Sequence, residues 1–164
     1  MSLQQVSILL NKLVGQPCCR QRVHPTNLNM LKLGFGDKVY HSKAYKIDNY
    51  SGEWELGTYN AEWQIVRGNT TLLRPADKID SLNTRLQKIE LGNFVRFEHG
   101  DNHVSVILDN GVTIDFFSIV DDDEFFHIFL PQYYYIQFSP RNDLAFGKSN
   151  VPWEPQAMSM SILP

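Results

Sequence analysis

Cysteine is scarce in this 164-residue chain, and the two that occur, Cys18 and Cys19, are adjacent. Neighbouring cysteines rarely reach the geometry of an ordinary disulfide, which argues against a small secreted domain held together by disulfide bridges. No apolar run is long enough to span a bilayer, and the first 14 residues lack the continuous apolar stretch of a signal peptide. We therefore expect a cytoplasmic protein that makes no use of a membrane.

Common catalytic signatures are missing too. The sequence has no G-x-S-x-G turn, no phosphate-binding loop ending in Gly-Lys-Ser/Thr, no H-E-x-x-H helix and no dinucleotide fingerprint. We predict from this a protein that is not an enzyme and that needs no cofactor.

Basic residues are absent from a long central stretch. Between Phe97 and Pro140 there is no Lys or Arg, whereas the rest of the chain holds ten acids against fifteen bases. The stretch contains eight acids: Glu98, Asp101, Asp109, Asp115, Asp121, Asp122, Asp123 and Glu124. Such an imbalance predicts a negative field on one part of the surface, which would repel nucleic acid and attract a basic protein.

The residues that are present predict an α+β fold. Hydrophobic residues make up 43% of the chain, enough for a substantial core. A helix is expected over about 2–14, capped by Ser2 with Gln5 three residues later, and ended by Gly15. A second helix is expected over about 78–91, with Asp77 as its cap.

The remaining patterns alternate with a period near two and predict strands. Trp54 and Trp63 have opposite parity, so both can face a core only if the chain slips between them, most naturally at 59–61. The Asn110–Gly111 pair predicts a tight hairpin. Five closely spaced strands after the second helix predict an antiparallel meander in one curved sheet, within a single domain over 1–153. Residues 154–164 are predicted to be a loosely ordered tail.

The segment SIVDDDEFFHIFLP (118–131) concentrates the candidate chemistry. Its four acids, Asp121, Asp122, Asp123 and Glu124, are predicted to steer a basic protein partner and to pair with its Lys and Arg residues. Tyr133 and Tyr135 are predicted to be the anchors of that contact, because tyrosine offers a large, rigid contact area with a polar tip.

Two alternatives stay open. The acids at 121–124, with His127 or with the pair His99 and His103, could hold a metal ion for hydrolysis, although their spacing matches no known calcium loop. A small-ligand or structural module without catalysis is also compatible with the sequence, and its sign would be an apolar pocket on the sheet.

Four segments carry a family resemblance: GEWELGTYNAEWQIVRG (52–68), DNGVTIDFF (109–117), FFHIFLP (125–131) and KSNVPW (148–153). Through them the chain resembles a group of small uncharacterised bacterial α+β proteins, over about Leu13 to Trp153. That group is similar in size and acidity to the immunity proteins of bacterial toxin and contact-dependent inhibition systems. The resemblance implies a cytoplasmic single α+β domain of bacterial origin. Together with the acidic stretch it leads us to expect an immunity-type protein that covers the basic active or substrate-binding surface of a toxin. We expect a monomer or a weak homodimer. The resemblance supplies no catalytic residues.

Overall fold

The computed structural model describes residues 2–41, 48–75, 79–120 and 123–164, and for Ile79 and Asp80 it describes the backbone only. Within these ranges two short helices accompany an extensive set of antiparallel strands. The helices are α1 (Leu3–Asn11) and α2 (Ile79–Leu86). The predicted mixture of helices and antiparallel sheet is confirmed, with the sheets dominating.

The strands form two sheets. They are β1 (Cys18–His24), β2 (Asn27–Tyr40), β3 (Tyr50–Gly57), β4 (Ala61–Arg67), β5 (Thr70–Leu73), β6 (Phe94–Gly100), β7 (His103–Leu108), β8 (Val112–Ser118), β9 (Phe126–Leu130), β10 (Tyr134–Ser139), β11 (Asp143–Lys148) and β12 (Gln156–Met158). The larger sheet has seven strands in the order β1-β2-β3-β9-β10-β11-β12, and the smaller has five in the order β5-β4-β8-β7-β6.

The meander is interrupted, which corrects the prediction of one sheet. β6, β7 and β8 lie side by side in the five-stranded sheet, whereas β9 pairs with β3 and continues the seven-stranded sheet through β10. Both β8 and β9 carry a row of buried apolar side chains, and the rings of Phe116 and Phe126 lie 4.8 Å apart. Stacking these rows face to face buries both, whereas pairing the strands edge to edge would not.

The two tryptophans show where the chain changes sheets. Trp54 lies on β3 and Trp63 on β4, and both are buried although their parity differs. Residues 58–60 join the two sheets, so the predicted slip is a crossing between sheets. Each indole N–H donates to a backbone carbonyl, Trp54 to Leu9 at 3.1 Å and Trp63 to Leu28 at 2.8 Å.

The helices are shorter than predicted because the chain leaves each helix early at its C-terminal end, through turns at 12–15 and 87–89. Ser2 caps α1 as expected, with its hydroxyl accepting from the Gln5 N–H at 3.3 Å. The helix ends at Asn11, and the chain turns through 12–15 while Leu13 stays buried. The predicted cap Asp77 lies outside the described residues.

The C-terminal residues, predicted to be loosely ordered, are attached to the fold. β12 pairs with β11, and Met158 is buried. The carbonyl of Pro164 accepts a hydrogen bond from the Phe97 N–H at 2.8 Å, which ties the last residue to β6. No helix in the described part of the chain is long and apolar enough to cross a membrane.

Candidate functional site

The residues singled out from the sequence do not form one patch. Asp121 and Asp122 lie outside the described residues, and Asp123 is exposed in the turn before β9. Tyr133 is 64% exposed at the opposite end of the β9–β10 hairpin, in a turn with φ near +64°. The five residues of β9 separate these two ends, so the structure does not bring Tyr133 and Asp123 together.

Glu124 and Tyr135 do meet, on the outer face of the seven-stranded sheet. The Tyr135 hydroxyl donates a short hydrogen bond to Glu124 Oε1. Burial is the main cause that raises the pKa of Tyr135, and the hydrogen bond to Glu124 raises it further, so the hydroxyl keeps its proton. These two side chains therefore satisfy one another, and their role as partner-binding residues stays a prediction.

His127 lies beneath them, with no exposed surface. Its Nδ1 is 3.3 Å from Glu124 Oε1, within ion-pair distance, yet it is not aligned for a hydrogen bond. Burial lowers the pKa of His127 to about 4, although the neighbouring Glu124 opposes that shift. The imidazole is consequently neutral at neutral pH, and its Nε2 can accept a hydrogen bond.

Lys32 donates that hydrogen bond. Its Nζ lies 2.5 Å from His127 Nε2 and 4.0 Å from the centre of the Tyr59 ring. Burial lowers the pKa of Lys32 to about 8, while Glu55 and Glu124 hold it up. In the described part of the chain no carboxylate lies within ion-pair distance of this ammonium, which is partnered by an imidazole and an aromatic face.

Gly57 makes this meeting possible. In the sheet register Gly57 stands opposite Lys32 on one side and opposite His127 on the other. A Cβ at this position would come within 2.3 Å of the Leu31 carbonyl oxygen and 2.9 Å of Lys32 Cδ. Because glycine has no side chain, Lys32 and His127 can reach each other across β3.

An arginine cluster borders the lysine. Arg20 and Arg22 on β1 both donate to Asp48 Oδ2, at 3.1 and 3.0 Å. Burial would raise the pKa of Asp48, but the hydrogen bonds and charges of the two arginines hold it below its ordinary value. Arg20 also donates to Glu55 Oε1 at 3.2 Å.

Glu55 is incompletely satisfied. Its Oε1 accepts from Arg20 and from the Gly52 N–H, whereas its buried Oε2 has no hydrogen-bond donor among the described residues. Burial raises the pKa of Glu55, with Arg20 opposing the shift. A buried carboxylate oxygen without a donor costs free energy and is typical of a site that awaits a ligand.

These side chains surround a cavity of about 500 Å³ on the outer face of the seven-stranded sheet. Its apolar walls include Met30, Tyr59 and Phe129, and its polar groups include Lys32 and Glu55. This size lies in the range of small-molecule sites. We call it the β1–β3 cavity, after the strands that supply most of its walls.

A second feature lies at one end of the sandwich. Phe117, Ile119 and Val120 are 37%, 43% and 41% exposed, immediately before the acidic run. The Ser118 N–H donates to the Asn102 carbonyl, and the Arg141 N–H donates to the Asp101 carbonyl. These bonds bring together the β6–β7 turn, the β10–β11 turn and the end of β8. We call Asp101, Phe117, Ile119, Val120 and Asp123 the acidic end.

The described residues show no arrangement that supports a metal site or a reactive cysteine pair. In the part of the chain that the structure describes, no three His, Cys, Asp or Glu side chains are arranged to hold a metal ion. Burial raises the pKa of Cys18 to about 12, and the Cys19 pKa is raised for the same reason, so both thiols stay protonated at neutral pH.

Sequence reasoning missed Lys32, Glu55 and the two arginines. The available signal was their parity: on β1, β2 and β3 charged residues alternate with residues that face the core. Alternation by itself describes any half-exposed strand, so it could not mark this one.

Comparison of the chain with protein-family models, with curated proteins and with solved structures gave no match. The resemblance to immunity proteins therefore stays a prediction.

Proposed function

We propose that this chain is an immunity-type binding protein that neutralises a cognate bacterial toxin by covering a basic surface of it. The observation that supports the proposal best is the acidic end, where three exposed apolar side chains directly precede a run of four acids. Protein interfaces typically combine an apolar centre with a polar rim. Here the rim is acidic, so a basic partner is the complementary one.

Two acids of the stretch without bases, Asp101 and Asp115, have neutral hydrogen-bond donors among the described residues. Asp101 accepts from the Asn142 amide at 3.1 Å, and Asp115 accepts from Ser105 and Gln64. These donors are neutral, so they orient the carboxylates and leave their charge in place. Arg96 does pair with Glu98, but both side chains are about half exposed, where an ion pair is worth little.

The contact assigned to Tyr133 and Tyr135 is less well supported than that of the acids. Tyr133 lies far from Asp123, and Tyr135 is engaged with Glu124. On this proposal Phe117, Ile119 and Val120 provide the apolar contact, and Asp121, Asp122 and Asp123 steer the approach of the partner.

The test uses a charge-matched pair of triple variants. D121N/D122N/D123N removes three acids at the acidic end and leaves Glu124 in its contact with Tyr135. D37N/E90Q/E154Q removes three exposed acids elsewhere and changes the net charge by the same amount. The immobilised protein is exposed at low salt to lysate of bacteria that contain the natural sequence, and retained basic proteins are purified for rate measurements.

We expect the wild type to retain a basic toxin domain that is released by salt, and whose activity it inhibits. The acidic-end variant should associate at least about ten times more slowly at low salt, whereas the control should keep the wild-type rate. Equal slowing in both variants would show a general charge effect and contradict the assignment of the acidic end. Retention of no basic protein would count against the immunity function itself.

A further inference from the structure

The β1–β3 cavity has the features of a ligand site, and it lies on a different part of the molecule from the acidic end. We propose that it binds a small organic carboxylate that has an apolar body and a hydroxyl group. The carboxylate pairs with the Lys32 ammonium and the Arg22 guanidinium, the body rests on Met30 and Phe129, and the hydroxyl donates to Glu55 Oε2.

The sign of the ligand charge follows from the walls. Arg20, Arg22 and Lys32 line the cavity against one acid, Glu55. Asp48 engages the two arginines through their Nε and one terminal nitrogen, which leaves further N–H groups of Arg22 available. Asp48 and Glu55 offset two of these three cations, so the remaining positive charge and the unused N–H donors of Arg22 and Lys32 favour an anion.

Lys32 is the group that most needs such an anion. An ammonium has three N–H donors, and among the described residues only His127 Nε2 accepts from it. The charged groups around it, Glu55 from β3, Arg20 from β1 and Glu124 from the turn before β9, act on it without a direct ion pair. A ligand carboxylate at Nζ would supply the missing partner, which is worth far more in a partly buried site than on the surface.

Glu55 determines the second polar group of the ligand. Its Oε2 is buried and has no donor among the described residues, whereas its Oε1 already accepts two hydrogen bonds. A ligand hydroxyl reaches that oxygen once the Glu55 carboxylate turns toward the cavity, and it would then satisfy Oε2 without adding a second positive charge beside Arg20. The apolar walls formed by Met30, Tyr59 and Phe129 then select a hydrocarbon or aromatic body over a sugar or a phosphate.

The experiment is titration calorimetry with three related probes. 3-Phenyllactate has the carboxylate, the hydroxyl and the aromatic body; 3-phenylpropanoate lacks the hydroxyl; 3-phenylpropanol lacks the carboxylate. We expect 3-phenyllactate to bind at one site per chain, 3-phenylpropanoate to bind about 3–10 times more weakly, and the alcohol not to bind. If neither carboxylate binds at concentrations up to about 10 mM, or if the alcohol binds as well as they do, the proposal is wrong.

Lys32→Met and Lys38→Met form a matched pair on the same strand. Lys32→Met should abolish binding, whereas Lys38→Met, which changes an exposed lysine, should leave it intact. Arg22→Met serves as a second variant at a more exposed position, and it should weaken binding at least about tenfold. Undiminished binding by both Lys32→Met and Arg22→Met would overturn the assignment.

Proton uptake gives a readout that a purely structural lysine would not produce. Because the pKa of Lys32 is lowered to about 8, a carboxylate that pairs with Nζ should return a proton to it. Near pH 8 we expect about half a proton to be taken up per ligand bound, measured from the binding enthalpy in buffers of different ionisation enthalpy. Lys38→Met should keep this uptake, and its absence in the wild type would contradict the contact with Lys32.

Discussion

The outer faces of the two sheets each contain a carboxylate, and their surroundings differ. On the five-stranded sheet, Asp115 accepts from Ser105 Oγ at 2.6 Å and from Gln64 Nε2 at 2.9 Å, one donor for each oxygen. Both donors stand directly opposite Asp115 on the neighbouring strands β7 and β4. On the seven-stranded sheet, Glu55 keeps one buried oxygen without a donor among the described residues.

The difference shows how a structural cluster can be told from a binding site. The Asp115 cluster is made of cross-strand neighbours, and it completes itself within the sheet. The Lys32–His127 pair instead reaches over Gly57. Among the described residues, the Lys32 ammonium beside it has one hydrogen-bond acceptor and the neighbouring Glu55 Oε2 has no donor. Incomplete satisfaction of buried groups is costly, and this observation supports the proposal of a ligand in the β1–β3 cavity.

The largest expected effect on stability comes from adding a side chain at Gly57, where Lys32 and His127 meet across β3. Gly57→Ala places a Cβ against the backbone of Leu31 and the stem of Lys32, which must shift β2 or separate Lys32 from His127. We expect the free energy of unfolding to fall by about 3 kcal/mol, measured by urea denaturation. Gly100→Ala on β6 meets only the His103 ring, so it should cost less than about 1 kcal/mol. Equal losses in the two variants would remove the special role given to Gly57.

The next effect is a pH dependence specific to the seven-stranded sheet. His127 has its pKa lowered to about 4 in the fold, against an ordinary value of 6.5. Between these values the unfolded chain binds a proton that the native state does not, so stability falls as the pH falls through this window. The slope from this residue should approach about 1.4 kcal/mol per pH unit.

His127→Leu should remove that slope when unfolding is followed between pH 4 and 6.5. His99→Leu changes an exposed histidine on the five-stranded sheet and should keep the wild-type slope. A slope unchanged in His127→Leu would mean that another group titrates in this window.

The smallest effect on stability is expected for the Asp115 cluster on the five-stranded sheet. Asp115→Ala removes the acceptor of two hydrogen bonds and leaves the buried Ser105 hydroxyl without one, so thermal unfolding should show a loss of about 1 kcal/mol. Because this cluster has no predicted ligand role, Asp115→Ala should bind 3-phenyllactate with the wild-type affinity. Weakened binding would show that the two faces are coupled.

Much of the local structure was readable from the sequence, for local reasons. The cap at Ser2 and the Asn110–Gly111 turn each depend on a few consecutive residues, and both are present. The sequence identified the acids of 121–124 but did not predict their contacts. Two of them lie outside the described residues, and Glu124 accepts a hydrogen bond from Tyr135. Contact with a residue eleven positions away depends on the strand pairing, which local patterns do not specify.

The sequence by itself determined the antiparallel strands, the start of the first helix, the acidic stretch without bases and the burial of both tryptophans. Alternation, capping and turn chemistry act over a few residues, so they can be read in order along the chain. Only the tertiary structure decided that β8 and β9 belong to different sheets, and that Lys32 meets His127 from 95 positions away. Such contacts depend on which strands become neighbours, and that choice is set by the packing of the whole core.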